Sequence, residues 1–418
     1  MKYGLLGKDV SHSFSQSIHE RSQPIKYALL SLPSLTDFFE NPTPFAGNVT
    51  MPYKTEVLQY MAVVDPIVEK IQVANVITYH GQQWHAFNTD APALINTLKR
   101  RLPKNKTCRI SILGNGATKR SLVYALEFLG YTNYQVYARH VMPGELSLDA
   151  VDLKTVVLCQ TTPVGMVPNT TNSLISNLAK FKSLVLVVDL VNNPFRTQLM
   201  LDAQNHNIQV CGGIPLLFEQ ARLSQKYFGL RGHSEKTFNQ LKHDWLFDHL
   251  NIVFIGMPFA GKTTLASHLS QALNRAWVDT DQMIEKTANQ TIENIFLTLG
   301  ESHFRTLEKD VVLRYADKHQ QIISVGGGVV ENKALMNTLK KQSIIVYLAV
   351  EPALIQSQII RHRPLIQSPE DWHKIYQRRD PLYKDYADII LRRSVENEAN
   401  LLDELVVKLH EIIDYQWS

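Results

Sequence analysis

The run Gly256-Met257-Pro258-Phe259-Ala260-Gly261-Lys262-Thr263 places a glycine, four free positions and then Gly-Lys-Thr. This spacing suits a loop that wraps a polyphosphate. Backbone N–H groups and a helix N-terminus meet the phosphate oxygens, Lys262 adds a mobile charge, and the Thr263 hydroxyl can hold magnesium. Further on, Asp279-Thr280-Asp281 closes an apolar run that starts at Ala276. Read as the end of a strand, it turns both carboxylates to one side. One can serve magnesium, directly or through water, and the other a hydroxyl acceptor. Arg305 and Glu308, spaced i and i+3, are neighbours on a predicted helix. Gly326-Gly327-Gly328 follows the strand-like Ile322–Val325 and lets something approach the backbone closely. Arg361 to Leu365 opens a polar segment that reads as a lid, and Arg378-Arg379-Asp380-Pro381-Leu382-Tyr383 comes after it.

The first half carries scattered polar clusters. Ser13 and Ser15 lie in a turn before a helix, where serines also serve as caps. Asn48-Val49-Thr50-Met51-Pro52-Tyr53-Lys54 ends a strand and puts a lysine in an expected first helical turn. A cation there opposes the helix dipole, which hints at another task. Asn75 sits in an apolar run and suits a satisfied core amide. Asn88-Thr89-Asp90 is a strand end or an N-cap. Cys108–Leu113 leads into Gly114-Asn115-Gly116-Ala117, a dinucleotide-type turn with two of its three glycines, or a plain turn. The next strand, Tyr134–Ala138, ends at Arg139. An arginine there suits the 2′-phosphate of NADP, or is a surface side chain.

These residues need elements to hold them. Asn251–Ile255 reads as a buried strand before the phosphate loop, and Leu265, Leu269 and Leu273 share one face of the helix after it. Upstream, expected strands are Lys2–Leu6, Lys26–Leu32, Gly47–Thr50 and Val73–His80. Expected helices start near Ser15, Leu35, Pro52 and Asp90. The alternation argues for α/β architecture. Leu122, Leu126 and Leu129 pattern a helix that ends at Gly130. The stretch between Arg139 and Thr155 is short for a sheet-covering helix. Val156–Leu158 and Leu184–Val188 are further buried strands, with polar ends at Gln160 to Met166 and Asp189 to Asn192.

The chain has 418 residues, enough for two or three domains. It is 44% hydrophobic and 20% charged, ordinary for a soluble globular protein. A net charge of +4 demands neither nucleic acid nor membrane. Three widely spaced cysteines read as reduced thiols in a cytoplasmic protein rather than a disulfide framework. No apolar run reaches membrane-spanning length, and the N-terminus reads as a first strand rather than a signal peptide.

Taken in order, the motifs of residues 1–240 resemble shikimate dehydrogenase: Ser-x-Ser, Asn-Val-Thr-x-Pro-Tyr-Lys, Asn-Thr-Asp, the glycine turn, Thr-Pro-Val-Gly-Met at 162–166 and the late Gln220-Ala221. The resemblance implies Lys54 and Asp90 as the catalytic pair. It implies that Ser13, Ser15, Thr50, Asn75 and Gln220 contact substrate, and that Gly114, Asn115, Gly116, Ala117, Arg139 and Gly213 bind NADP. Departures are Gln16 after Ser15, Val76 for a threonine, Ala117 for the third glycine, Ala138 and His140 around Arg139, and Asn192 for a tyrosine.

From about Asn251 to the C-terminus the chain resembles shikimate kinase in motif order and spacing. This implies ATP at Gly256, Gly261, Lys262, Thr263, Thr264 and Arg363, and magnesium at Thr263 and Asp279. It implies shikimate at Asp281, Arg305, Gly326, Gly327, Gly328 and Arg379, with Asp281 taking the acceptor proton. Phe259 stands where that family typically has glycine, so a need for positive φ would strain it.

The implied domains are a substrate lobe over 1–102 completed by 213–240, an NADP-binding Rossmann lobe over 103–212, a linker over 241–250, and a P-loop kinase domain of the nucleoside monophosphate kinase type over 251–418. The implied function is bifunctional: reduction of 3-dehydroshikimate to shikimate with NADPH, then phosphorylation of shikimate with ATP and magnesium, in aromatic amino acid (chorismate) biosynthesis. Alternatives are a kinase fused to a catalytically weak dehydrogenase-like binding module, a quinate-preferring dehydrogenase half, or a kinase for another hydroxy acid. Oligomeric state is not legible.

Overall fold

The structure is a computed structural model that describes residues 1–40, 42–351, 354–355, 368–394 and 398–417. The chain divides into two compact units, Met1–Lys242 and His243–Ser418. The boundary falls inside the helix Glu235–His249, so the residues expected as a linker are mostly helical.

The first unit holds two sheets. In the first, β1 (Lys2–Gly7), β2 (Tyr27–Ser31) and β3 (Phe45–Val49) run parallel, and β5 (Val76–His80) and β6 (Gln83–Phe87) join as an antiparallel hairpin. With β4 (Val63–Val64) at the edge, the order is β2-β1-β3-β5-β6-β4. The sequence predicts Val73–His80 as one strand with no partner after it. The hairpin turns at Gly81 (φ 58°) and Gln82 (φ 63°), the left-handed pair of a tight turn. Gln82 is not a usual turn former, which hides the turn, although buried Trp84 and Ala86 alternate with polar neighbours.

The expectation of a helix from Pro52 is corrected. Residues 51–55 form turns, and only a 3₁₀ segment, Glu56–Tyr60, follows. The Lys54 carbonyl accepts from Ala74 N at 2.8 Å, which takes it out of any helical ladder. The dipole argument for Lys54 therefore lapses.

The second sheet is wholly parallel: β7 (Ile110–Leu113), β8 (Tyr134–Ala138), β9 (Leu146–Ser147), β10 (Val157–Gln160), β11 (Leu186–Asp189) and β12 (Gln209–Cys211), in the order β12-β11-β10-β7-β8-β9. The helix Ala117–Phe128 buries Leu122 and Leu126 against it, and Gly130 (φ 84°) ends the turn. Between β8 and β10 lie only β9 and a short 3₁₀ turn, in keeping with the short sequence there.

The second unit has five parallel strands: β13 (Asn251–Ile255), β14 (Trp277–Asp279), β15 (Ile322–Ser324), β16 (Ser343–Val350) and β17 (Ile389–Arg393), in the order β14-β15-β13-β16-β17. β13 is buried along its whole length: residues 252–255 are an apolar run, and Asn251 is satisfied by Lys318 O and Gln321 N. Helix Lys262–Leu273 presses Leu265 and Leu269 onto this sheet.

Candidate active sites

In the first unit the polar residues gather at the carboxyl ends of parallel strands and at the start of the helix Asp90–Leu98. Lys54 Nζ lies 2.5 Å from Asp90 Oδ2, and both side chains are mostly shielded from water. Asn75 organises the group. Its Nδ2 is 2.8 Å from Asp90 Oδ1, 2.9 Å from Thr89 Oγ1 and 2.9 Å from Gln220 Oε1. Its Oδ1 accepts from Thr89 N at 2.7 Å. Asn75 is thus the satisfied core amide the sequence suggested, and it also aims the Asp90 carboxylate. Lys54, Asn75, Asp90 and Gln220 are brought together from four separate segments. Ser13 and Ser15 bond to each other, Oγ to Oγ at 3.1 Å, at the start of helix Ser15–Ser22. Thr50 N donates to Leu6 O at 2.8 Å, which sets Thr50 beside the end of β1.

The glycine turn follows β7. Gly114 has φ 103°, and a Cβ there would meet Thr162 at 2.5 Å, so a side chain is excluded. A Cβ on Gly116 would meet nothing within 4 Å, and no side chain caps the helix that starts at Ala117. An open helix N-terminus with a bare glycine fits a pyrophosphate. Arg139 is exposed at the end of β8. At Gly213 a Cβ would lie 2.6 Å from Val191 O and 2.2 Å from Asn192 Oδ1, so helix–loop packing is enough to require glycine. That Asn192 oxygen is buried and makes no hydrogen bond. Asp189 is wholly buried. It accepts from Thr197 Oγ1 at 2.5 Å, Gln160 Nε2 at 3.0 Å and Val191 N at 3.1 Å, and burial pushes its carboxyl up to about 6. These bonds tie β10 and β11 together.

In the second unit Gly256 (φ 146°) and Gly261 (φ 93°) bracket the phosphate loop, and Phe259 sits at φ 68°. The positive φ suspected at Phe259 is present. Lys262 Nζ bonds to Gly256 O and Met257 O, both at 3.0 Å. Thr263 Oγ1 donates to Asp279 Oδ2 at 2.5 Å. A hydroxyl and a carboxylate side by side at a phosphate loop fit magnesium, which takes few protein ligands beside phosphate and water. Thr264 follows on the first turn of the helix and is exposed.

The two aspartates do not share a strand face. β14 ends at Asp279, and a helix starts at Thr280 with Asp279 as its N-cap, accepting from Asp281 N and Gln282 N. Asp279 therefore faces Thr263, whereas Asp281 faces the glycine triplet. A Cβ on Gly326 would lie 2.7 Å from Asp281 Oδ1 and 3.0 Å from Glu308 Oε1, and one on Gly328 only 2.4 Å from Arg305 Nη1. Arg305 pairs with Glu308 at 2.8 Å and with Glu301 at 2.9 Å. Burial pushes the Glu308 carboxyl above its usual range, although Arg305 pulls the other way. Arg379 is buried and holds Glu331. Tyr383 OH donates to Gly327 O at 2.6 Å. Arg363 and the segment read as a lid lie outside the described residues.

The shikimate kinase family profile matches residues 258–410. The shikimate kinase of Rhodococcus jostii (strain RHA1) is 34% identical over 163 residues, which are 38% of this chain and 97% of that protein. The chain belongs to the shikimate kinase family. The membership is carried by the second unit.

The first unit has the fold of shikimate dehydrogenases. Shikimate dehydrogenase 1 of Peptoclostridium difficile superposes with a TM-score of 0.53 at 22% identity, over 59% of this chain and 98% of that one. The shikimate 5-dehydrogenase of Thermus thermophilus, solved with NADP(H) and shikimate, gives 0.50 at 23% identity, over 58% and 99%.

Within these two folds, sequence reasoning overlooked Glu331 and Glu145. Glu331 lies three residues beyond the glycine triplet. Glu145, seven residues beyond the end of β8, reaches back to the glycine turn. Glu331 ends a short 3₁₀ segment behind buried Val329 and Val330, and Glu145 follows Gly144 just ahead of β9; a single glutamate in such a place gives no local signal, and only its partners mark it.

Proposed function

We propose that the chain is a bifunctional enzyme that reduces 3-dehydroshikimate to shikimate and phosphorylates shikimate on its 3-hydroxyl. The observation that carries the first activity is the Lys54–Asp90 pair, aimed by Asn75, in a shikimate dehydrogenase fold. The observation that carries the second is Asp281, Arg305 and Glu308 crowded against a glycine triplet beside a phosphate loop, in a shikimate kinase.

In the first site bound NADPH would supply the hydride that the ring carbonyl carbon needs. The carbonyl oxygen then needs a proton, and the Lys54 ammonium donates it. Asp90 orients Lys54, and Asn75 fixes Asp90. Ser13, Ser15, Thr50 and Gln220 hold the substrate's hydroxyls and carboxylate. The Gly114–Ala117 turn would hold the pyrophosphate of NADPH, and Arg139 and Gly213 would also bind the dinucleotide.

In the second site Thr263 and Asp279 would hold magnesium, which would offset the charge of the ATP phosphates. The Gly256–Thr264 loop cradles those phosphates, joined by Arg363. Lys262 leaves its two loop carbonyls to meet them. Asp281 accepts the proton of the 3-hydroxyl as its oxygen bonds the γ-phosphorus and the bond to ADP breaks. Arg305 and Arg379 clamp the carboxylate of the acceptor. The two reactions are consecutive, so one chain carrying both is chemically coherent.

The test is one assay on the full chain. 3-Dehydroshikimate and NADPH are added first and absorbance at the nicotinamide band is followed; ATP and magnesium are added next and ADP is followed. Both signals are expected. NADPH oxidation without ADP release sinks the kinase assignment; no NADPH oxidation from 3-dehydroshikimate, with ADP released once shikimate itself is added, sinks the dehydrogenase assignment. All three cysteines are free and buried, and no described helix is long and apolar enough to cross a membrane. We take the cytoplasm as its site of action.

A further inference from the structure

In a dinucleotide-binding unit the adenosine ribose lies between the glycine turn and the carboxyl end of the second strand. In this chain a carboxylate stands at that corner. After β8 the chain loops round to β9, which runs parallel to β8, with Leu146 opposite Tyr137 and Ser147 opposite Ala138. That pairing anchors Glu145, one residue ahead of β9. Glu145 Oε2 accepts from Asn115 Nδ2 at 2.8 Å and from Met142 N at 3.1 Å, and Oε1 lies 3.5 Å from Lys119 Nζ. Asn115 Nδ2 also donates to His140 O at 2.9 Å, so the glycine turn, the end of β8 and Glu145 are one connected group. The Glu145 side chain is 7% exposed. Burial works against its charge, but Asn115, Met142 N–H and Lys119 hold its carboxyl below the usual range.

We propose that Glu145 is a dinucleotide-selectivity residue: it accepts a ribose hydroxyl and opposes a 2′-phosphate, so it narrows the advantage that Arg139 gives NADPH over NADH. The proposal rests on the dehydrogenase reading of this unit. Two charges favour phosphate here, Arg139 and Lys119. Arg139 is exposed, where water and salt weaken its pull. Lys119 is already paired with Glu145. Glu145 has the least exposed side chain of the three and is tied to the glycine turn through Asn115, so its charge is held in place beside the ribose position.

The test is equilibrium binding of NADPH and NADH to the full chain, read by titration calorimetry. Wild type is expected to bind both. Glu145→Gln, which keeps an acceptor for Asn115, is expected to raise the NADPH-to-NADH affinity ratio by roughly tenfold. Lys119→Met, which removes the attractive partner and leaves Glu145, is expected to lower it. Circular dichroism confirms that each variant folds. If both dinucleotides bind and neither substitution moves the ratio, Glu145 is only a brace for the loop and the proposal fails. If neither dinucleotide binds wild type, the dehydrogenase reading itself fails and takes the proposal with it.

Discussion

Arg379 Nε and Nη2 lie 3.1 and 2.8 Å from one oxygen of Glu331, while Arg378 Nε takes the other oxygen at 2.7 Å. Arg379 is 3% exposed, so a buried guanidinium already has a carboxylate partner before any acceptor arrives. An acceptor carboxylate clamped by Arg379, as proposed, would have to share that guanidinium with Glu331. Glu331→Gln keeps an acceptor oxygen to orient Arg379 but removes the competing charge. The KM for shikimate is expected to fall by about three- to tenfold at low salt, less at high salt, with kcat little changed. Glu331→Ala, which strips both orientation and charge from beside a buried cation, is expected to raise that KM. Initial rates at two ionic strengths check both outcomes. A KM for Glu331→Gln equal to or above wild type would show that Glu331 orients Arg379 without competing for it.

Lys54 puts its ammonium in direct contact with Asp90. Lys54→Ala is expected to lower dehydrogenase kcat by about a hundred- to ten-thousandfold, while the kinase rate of the same preparation stays at wild type. The unchanged kinase rate reports that the chain folds. A Lys54→Ala variant that still oxidises NADPH at the wild-type rate would remove Lys54 from the mechanism.

Phe259 at φ 68° occupies backbone space that costs an ordinary residue about 1–3 kcal/mol. Glycine relieves that strain but loses more entropy on folding, about 0.5–1 kcal/mol. Phe259→Gly is therefore expected to hold or slightly raise the melting temperature of the second unit, with the KM for ATP unchanged or lower. Phe259→Val, β-branched and least tolerant of this conformation, is expected to lower that melting temperature and raise the KM for ATP. Calorimetry and ATP titrations separate the two. Equal behaviour of the glycine and valine variants would mean that the loop relaxes freely.

His19 is buried against Tyr27, with ring centroids 4.4 Å apart. Burial pulls its pKa down to about 4, from an ordinary 6.5. Between those values the unfolded chain binds a proton that the folded chain does not. Stability of the first unit is therefore expected to fall as pH drops from 6.5 towards 4, by about 3 kcal/mol from this group. His19→Phe, which cannot titrate, is expected to flatten that slope. Urea midpoints across this pH range, followed by Trp84 fluorescence in a chain with its other tryptophans replaced, provide the check. An unaltered slope in His19→Phe would assign the pH dependence to other groups.

The kinase half is legible in the sequence because its chemistry is local. The phosphate loop, Asp279 and the glycine triplet each sit at a strand end marked by an apolar run, and Arg305 lies on a helix beside Glu308 at i and i+3. The apolar run of residues 252–255 suffices to place β13, because a strand buried on both faces needs such a run. The same local signal misleads at Asp281. The sequence shows two acids two apart, but the capping of a helix by Asp279 turns them to different neighbours. In the first unit each cluster alone reads as a cap or a core amide, and only their order along the chain carries the resemblance to shikimate dehydrogenase. What brings Lys54, Asn75, Asp90 and Gln220 into contact is the hairpin β5–β6, the turn at 51–55 and the helix Gly213–Tyr227. Composition and motif spacing thus determined which residues were candidates. Tertiary structure decided which of them touch, and it alone set Glu145 against the glycine turn and Glu331 against Arg379. Ion pairs between residues far apart in sequence leave no periodic trace, because nothing in the local backbone depends on them.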